Sequence, residues 1–310
     1  MERTSRIKGF HKLSPKERME AVREFAGLDS DDVEILMKTG RLDIDTAGRM
    51  LENVIGTMEL PFGIATNFMI NGKDYLIPMV LEEPSVVAAA SNAAKLARPG
   101  GGFETDTDDP VMIGQIQLVG VPDTNSAIRA IKERKSEIIE LCNRQDSTLV
   151  KFGGGARDVE ARKIQSQQGN MLVVHILVDV RDAMGANAVN TMSERVSPLL
   201  EKLSGGNARL RIISNLATSR LARAKAVWKK DVIGEEAVER ILEAYAFAAA
   251  DQHRCTTHNK GIMNGIDAVA IATGNDFRAV EAGAHSFAAF KRPYSPLTSY
   301  KKAVSYTHLR

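Results

Sequence analysis

MLVVHILVDVRDAMGANAVNTMSERVSPLLEKL, residues 171–203, is the stretch whose reading decides the fold. Its first ten residues form an apolar run of strand composition and strand length. A short polar loop follows. Then Val189, Met192, Val196, Leu199 and Leu203 recur at helical spacing. Outward from this strand–loop–helix, GQIQLVGV (114–121) has strand composition, and Asp123 is placed to cap a helix carrying Ile128, Ile131, Ile138 and Leu141 through to Arg144. A strand-like run follows Gly153–Gly155, and ARLRIIS (208–214) closes the set. The order β-α-β-β-α-β is the ferredoxin-like arrangement.

The pattern on either side differs, so the ferredoxin-like stretch reads as a domain of residues 110–215 inserted into an outer domain of residues 1–109 and 216–302. Ser14, Pro15 and Glu17 form a capping box with proline at the first helical position, which predicts a helix over 14–27. A second helical stretch follows Asp29, and a third precedes Glu52. Asn71-Gly72 sits between two extended runs and signals a hairpin. SVVAAASNAAKLA, from Ser85, reads as a helix ending at the glycines 100–102; so many alanines predict a buried, closely packed element. Helices resume after 216 and dominate to 290. The expected class is α+β: a largely helical outer domain with an inserted ferredoxin-like domain.

Composition bounds the compartment and leaves the chemistry open. The 310 residues are 44% hydrophobic and 26% charged, ordinary for a soluble globular protein. Forty-one basic against 39 acidic residues give a net charge of +2, which points neither to nucleic acid nor to an anionic membrane. The charged N-terminus has no apolar core for a signal peptide, and no apolar run reaches membrane-spanning length. Cys142 and Cys255 lack metal-type spacing and read as reduced thiols of a cytoplasmic protein. The six histidines show no ligand spacing, so no metal is expected. His175, inside a strand, reads as a packed or hydrogen-bonded histidine. An RNA-binding use of the ferredoxin-like domain would need strand aromatics for base stacking, and MLVVHILVDV has none.

Four places could carry chemistry. In DVRDAMGAN (179–187), Gly185 stands where a helix begins, and a helix N-terminus suits a pyrophosphate, although a plain capping turn is the simpler local reading. Asp146, in the loop after the first helix of the insert, could accept from both ribose hydroxyls of an adenosine, or be an ordinary loop residue. Glu82-Glu83-Pro84-Ser85 places adjacent carboxylates before a buried helix, although a proline-started helix with acids at its dipole is the simpler local reading. Residues 251–276 set Arg254, His258, Asn259, Lys260, Asn264 and Asp276 among small apolar neighbours, where ionisable groups are costly unless paired, so this cluster reads as a site.

ENVIG (52–56), EEPSVVAAAS (82–91), DVRDAMGANAVNTM (179–192), THNKGIMNGID (257–267) and ATGND (272–276), in this order, resemble the class II (bacterial-type) 3-hydroxy-3-methylglutaryl-coenzyme A (HMG-CoA) reductases. The resemblance runs from near the start to about residue 300 and includes the inserted ferredoxin-like domain. It implies an oxidoreductase of isoprenoid metabolism that interconverts HMG-CoA with mevalonate and coenzyme A by two hydride transfers using NAD(H), without a metal. By motif, Glu83 and Lys260 correspond to the catalytic glutamate and lysine, and Asp276 to the aspartate that buffers them. Ser85, Arg254 and Asn215 match positions that hold the HMG carboxylate and hydroxyl. The loop Asp182, Ala183, Met184, Gly185, Ala186 and Asn187 matches the dinucleotide loop. Asp146 matches the residue that receives the adenosine ribose, where a carboxylate disfavours a 2′-phosphate and implies NADH over NADPH.

On this reading Lys260 stabilises the negative charge that develops on the carbonyl oxygen. Glu83, expected to be buried and to share a network with Asp276, delivers the proton of the aldehyde step. The resemblance also implies a homodimer or an assembly of dimers with a site across two subunits, small-molecule substrates, and neither nucleic acid nor membrane as partner. The family's thiol-protonating histidine belongs to a segment beyond residue 310. The family pattern ends near SPLTSYKK (295–302), and AVSYTHLR (303–310) departs from it. A C-terminally truncated chain, inactive or nearly so, is therefore the expectation, with a non-catalytic binder of CoA esters or nucleotides as the alternative function.

Overall fold

The structure is a computed structural model that describes residues 3–145, 147–290 and 293–303. Asp146 lies outside the described residues, as does the expected aberrant tail apart from Ala303. The chain divides into two compact units: residues 1–105, 224–281 and 288–310 in the first, and 106–223 with 282–287 in the second. The expected insert, 110–215, falls inside the second.

In the first unit, α1 (Pro15–Ala26) starts as the sequence predicts. Ser14 Oγ accepts the Glu17 amide, a Glu17 carboxylate oxygen accepts the Ser14 amide at 2.7 Å, and Gly27 ends the helix in the left-handed conformation. Asp29 and Asp43 cap α2 (Ser30–Met37) and α3 (Ile44–Met50). β1 (Phe62–Ile70) and β2 (Lys73–Val80) form an antiparallel hairpin. Its turn residues Asn71 and Gly72 both have positive φ, the primed turn that matches the twist of the strands. α4 (Val86–Ala97) packs on β1, where Ala65, Met79 and Ala268 form a small core with Phe68, Val86 and Val87. Full burial of α4 was expected, but only Ala94 and Ala97 are fully covered. Ala88 and Ala89 are exposed because one face alone meets the hairpin. β3 (Phe103–Thr107) continues the sheet.

The second unit runs through β4 (Val111–Val119), α5 (Thr124–Glu133), α6 (Lys135–Asn143), α7 (Ser147–Lys151), β5 (Gly155–Ser166), β6 (Gly169–Asp179), α8 (Ala186–Ser204) and β7 (Asn207–Ser214). Its sheet has the order β5-β6-β4-β7, antiparallel throughout, as the ferredoxin-like arrangement requires. The helices bury Ile131, Ile138, Val189, Met192, Val196 and Leu200 against Ile116, Leu118, Val174 and Ile176. The single helix expected from Asp123 to Arg144 is in fact two, broken at Arg134. Ile131 and Ile138 are seven residues apart, so they share a face whether the helix is straight or kinked, and the apolar spacing does not reveal the break.

β8 (Ala222–Ala226) joins the first sheet, whose order is β2-β1-β3-β8. α9 (Lys230–Ile233), α10 (Glu235–Ala250), α11 (Gln252–Ala272) and α12 (Phe277–Ala288) follow. α11 packs on β2 and α10. Among the described residues, no helix is long and apolar enough to cross a membrane.

Candidate active site

Two elements of the first unit bring the leading candidates together. β2 ends at Val80, and the chain turns through Glu82-Glu83-Pro84-Ser85 into α4. α11 is capped by Asp251, whose carboxylate accepts the Arg254 amide at 2.7 Å, and it carries Lys260 about two turns further on. Lys260 Nζ lies 2.6 Å from Glu83 Oε2, and Asn264 Nδ2, one turn beyond on the same helix face, donates to the same oxygen at 3.4 Å. A carboxylate and an ammonium 177 residues apart in sequence thus form one acid–base pair. Burial is not what sets Glu83 apart, contrary to expectation. Its side chain is 44% exposed and that of Lys260 58%, because Glu83 stands at the start of α4 and not beneath it.

Asp276 is also placed differently from expectation. Its carboxylate accepts the amides of Ala279 and Arg278 at the start of α12 and the Arg278 guanidinium, and those contacts, the Ala279 amide foremost, hold it below the usual carboxylate range. Among the described residues no hydrogen bond or ion pair joins it to Glu83 or Lys260. Its local role is that of a helix cap, because an aspartate one residue before a helix finds free amides within reach.

Ser85 is a non-glycine residue at φ 71°, and its hydroxyl makes no capping bond although it occupies the N-cap of α4. A strained residue next to an acid–base pair, its hydroxyl without a hydrogen bond among the described residues, is the kind of position that persists for binding. Arg254 is half-buried, and its guanidinium makes no ion pair among the described residues, which suits an anionic ligand. The rest of the 251–276 cluster divides by helix face. His258 Nε2 meets Thr298 Oγ1 at 2.8 Å, and burial, then the Arg254 charge, lower its pKa. Asn259 is buried and bonds the Ser295 carbonyl and the Leu297 amide. These two hold the 295–298 segment, so they are structural.

The second unit holds the loop expected to take a dinucleotide. Asp179, 3% exposed at the end of β6, accepts the Arg181 amide at 3.1 Å and ion-pairs with the guanidinium groups of Arg181 and Arg157. Gly185 has φ 88°, and a Cβ there would collide with the Val180 side chain. α8 therefore starts from a glycine and has no side-chain cap, which leaves its first amides open to an anion. A cleft of about 500 Å³ is lined by Leu149, Phe152, Arg181, Asp182 and Ala183, and a hollow of about 180 Å³ by Gln145, Asn187, Ala188 and Thr191. Phe152 is 72% exposed beside it. A glycine cradle, open helix amides and an apolar ring fit the phosphates and base of a dinucleotide. Asn215 is exposed at the end of β7. Among the described residues no three His, Cys, Asp or Glu side chains converge as a metal would require.

An acid–base pair in one unit and an anion-receiving glycine–helix loop in a ferredoxin-like unit define the class: a dinucleotide-dependent oxidoreductase. Comparisons with known proteins give the family. The family model described as hydroxymethylglutaryl-coenzyme A reductase matches residues 14–307. The chain is similar to the 3-hydroxy-3-methylglutaryl-coenzyme A reductase of Archaeoglobus fulgidus, 62% identical over 299 residues, which cover 96% of this chain and 68% of that protein. The probable reductase of Borreliella burgdorferi is 32% identical, with 94% and 67% covered. The reductase of Streptococcus pneumoniae superimposes with a TM-score of 0.88 at 44% identity over 94% of this chain and 80% of that one. A structure of that class II enzyme bound to NADPH in open conformations gives 0.90 at 43%. The chain belongs to the hydroxymethylglutaryl-coenzyme A reductase family, and a reductase is favoured over a non-catalytic binder.

The sequence reading missed two features of these sites. Asn264 carries no motif of its own, and its four-residue spacing from Lys260, which places both on one helix face, is the signal that finds it. Arg220, which bonds the carbonyls of Ala183 and Arg181 in the loop before α8, carries no local signal.

Proposed function

We propose that this chain interconverts HMG-CoA with mevalonate and coenzyme A by two successive hydride transfers, with NADH as the preferred donor. The observation that carries the reading is the Glu83–Lys260 pair at 2.6 Å. A bound nicotinamide supplies the hydride for each transfer. Lys260 holds positive charge at the thioester oxygen as that oxygen becomes anionic, and Glu83 delivers a proton to the aldehyde oxygen in the second reduction. Ser85 and Arg254 hold the HMG hydroxyl and carboxylate. The loop Asp182–Asn187 holds the pyrophosphate, and Asp146 receives the ribose, which makes a 2′-phosphate unwelcome. Asp276 acts from its capping position as the aspartate of the catalytic set.

The same reading makes the protein a cytoplasmic homodimer or an assembly of dimers. Two buried free thiols support a reducing compartment. An apolar strip supports a partner subunit: Met50 is 72%, Ile55 100% and Met58 83% exposed. Calorimetric titration with NADH, NADPH and HMG-CoA tests the proposal. NADH and HMG-CoA are expected to bind, NADPH much more weakly. A folded chain that binds NADPH as tightly as NADH removes the cofactor preference, and one that binds none of the three removes the assigned sites.

A further inference from the structure

The turn after β7 carries a guanidinium that no motif marks. Arg220 donates from Nη1 to the Ala183 carbonyl at 3.0 Å and from Nη2 to the Arg181 carbonyl at 3.4 Å. The turn itself is tied down. The Arg220 amide donates to the Ala217 carbonyl, and Leu221 and Asp108 bond each other twice, through Leu221 N–H to the Asp108 carboxylate and Asp108 N–H to the Leu221 carbonyl. Arg223 adds an ion pair to Asp108 at 2.8 Å. A half-buried cation on a fixed turn therefore grips the loop from one side.

Peptide planarity gives this grip a consequence. In a trans peptide the C=O of one residue and the N–H of the next point in opposite directions. With the carbonyls of Arg181 and Ala183 turned onto Arg220, the amides of Asp182 and Met184 face away from it. Neither amide has a partner among the described residues, whereas the Ala183 amide between them is taken by the Val180 carbonyl. Arg181 is held at φ 52°, a conformation costly for an arginine, by the Asp179 carboxylate on its amide and side chain. Two unpartnered amides on the outward side of the loop are donors that an anion there can use.

We infer that Arg220 is a positioning residue for the dinucleotide. Its two-pronged bond to the Arg181 and Ala183 carbonyls sets the peptide planes that aim the Asp182 and Met184 amides at the pyrophosphate. The inference rests on the proposal that this loop binds the dinucleotide. Arg220 does not itself touch the ligand, so the fork matters more than the charge.

The test is NADH affinity of the full chain by calorimetry in wild type, Arg220→Ala and Arg220→Lys, with HMG-CoA as the control ligand and amide hydrogen exchange over residues 181–187 as the structural readout. The expected result for Arg220→Ala is roughly a tenfold rise in the Kd for NADH, the size of a lost charge-assisted bond, with faster exchange in the loop and unchanged HMG-CoA affinity. Arg220→Lys keeps the charge but not the planar fork, and is expected to recover less than half of the loss on a logarithmic scale. If Arg220→Lys binds as wild type does, charge alone acts and the inference is overturned. It is equally overturned if Arg220→Ala binds NADH normally. Should Arg220→Ala fail to fold, the lysine variant decides. If folded wild type binds HMG-CoA but no dinucleotide, or binds NADH just as well with Gly185→Ala, the loop assignment itself has failed, which is a different result from a loop that binds without needing Arg220.

Discussion

At Glu83 and Lys260 the proposed chemistry rests on one distance between two half-exposed groups. An exposed ion pair of this kind contributes little to stability, so Lys260→Ala is expected to leave the fold intact. It should lower kcat by roughly 10²–10³, the typical loss of one positioned donor at a developing oxyanion, with the Kd for NADH unchanged. Steady-state kinetics beside calorimetry checks both. His258 makes a different prediction. Burial lowers its pKa from the ordinary value of 6.5, and the same is true of His175 in β6. The folded state prefers both rings neutral while the unfolded chain takes up protons first, so this contribution is complete above about pH 6.5 and shrinks as pH falls toward the lowered native values. Urea denaturation at pH 7.5 and 5.5 should give a lower stability in acid, with a smaller difference in His258→Gln. The Cys142 thiol, pushed up to about 12 by burial, should resist alkylation until the protein unfolds.

Among the elements, α8 lies close against β4 because Gly114 has no side chain. A Cβ there would come within 2.6 Å of Ser193 Oγ and 2.8 Å of Val189 Cγ1. Gly114→Ala should cost about 1–3 kcal/mol, the usual penalty for overfilling a packed interface, measured as a shift in the urea midpoint. The contact is invisible in GQIQLVGV, where a glycine in a strand reads only as a weakness. The elements themselves were largely legible. The capping box at Ser14, the Asn71-Gly72 turn and the 3.6-residue spacing of α8 each encode their geometry within a few residues. The break at Arg134 was not legible, because both halves of that helix bury the same apolar stripe. The exposure of Ala88 and Ala89 was missed because alanine suits close packing and solvent alike.

For the whole molecule, the apolar strip from Met50 to Phe62 is the feature that the single chain does not account for. Isolated exposed apolar residues are ordinary, but a run with Ile55 fully exposed needs a cover. On the proposal that this strip is a subunit interface, wild type should sediment as a dimer and the double substitution Ile55→Asp with Met58→Asp as a monomer in analytical ultracentrifugation. An unchanged sedimentation coefficient would place the subunit interface elsewhere. The two units, each with its own core, are expected to keep their secondary structure in the monomer.

The sequence by itself determined the ferredoxin-like order of the second unit, the caps and hairpin of the first, and the family, since five motifs in order carry far more information than any one. It also named Glu83 and Lys260, which meet at 2.6 Å. Those inferences work because period, cap chemistry and motif are local properties of a chain. Only the tertiary structure decided that Lys260 and Asn264 converge on Glu83, that Glu83 is open to solvent, and that Asp276 caps its own helix. It alone decided that Arg220 grips the loop before α8. Distances between residues far apart in sequence, and the water each group keeps, are set by how the elements pack, and no spacing in the sequence records them.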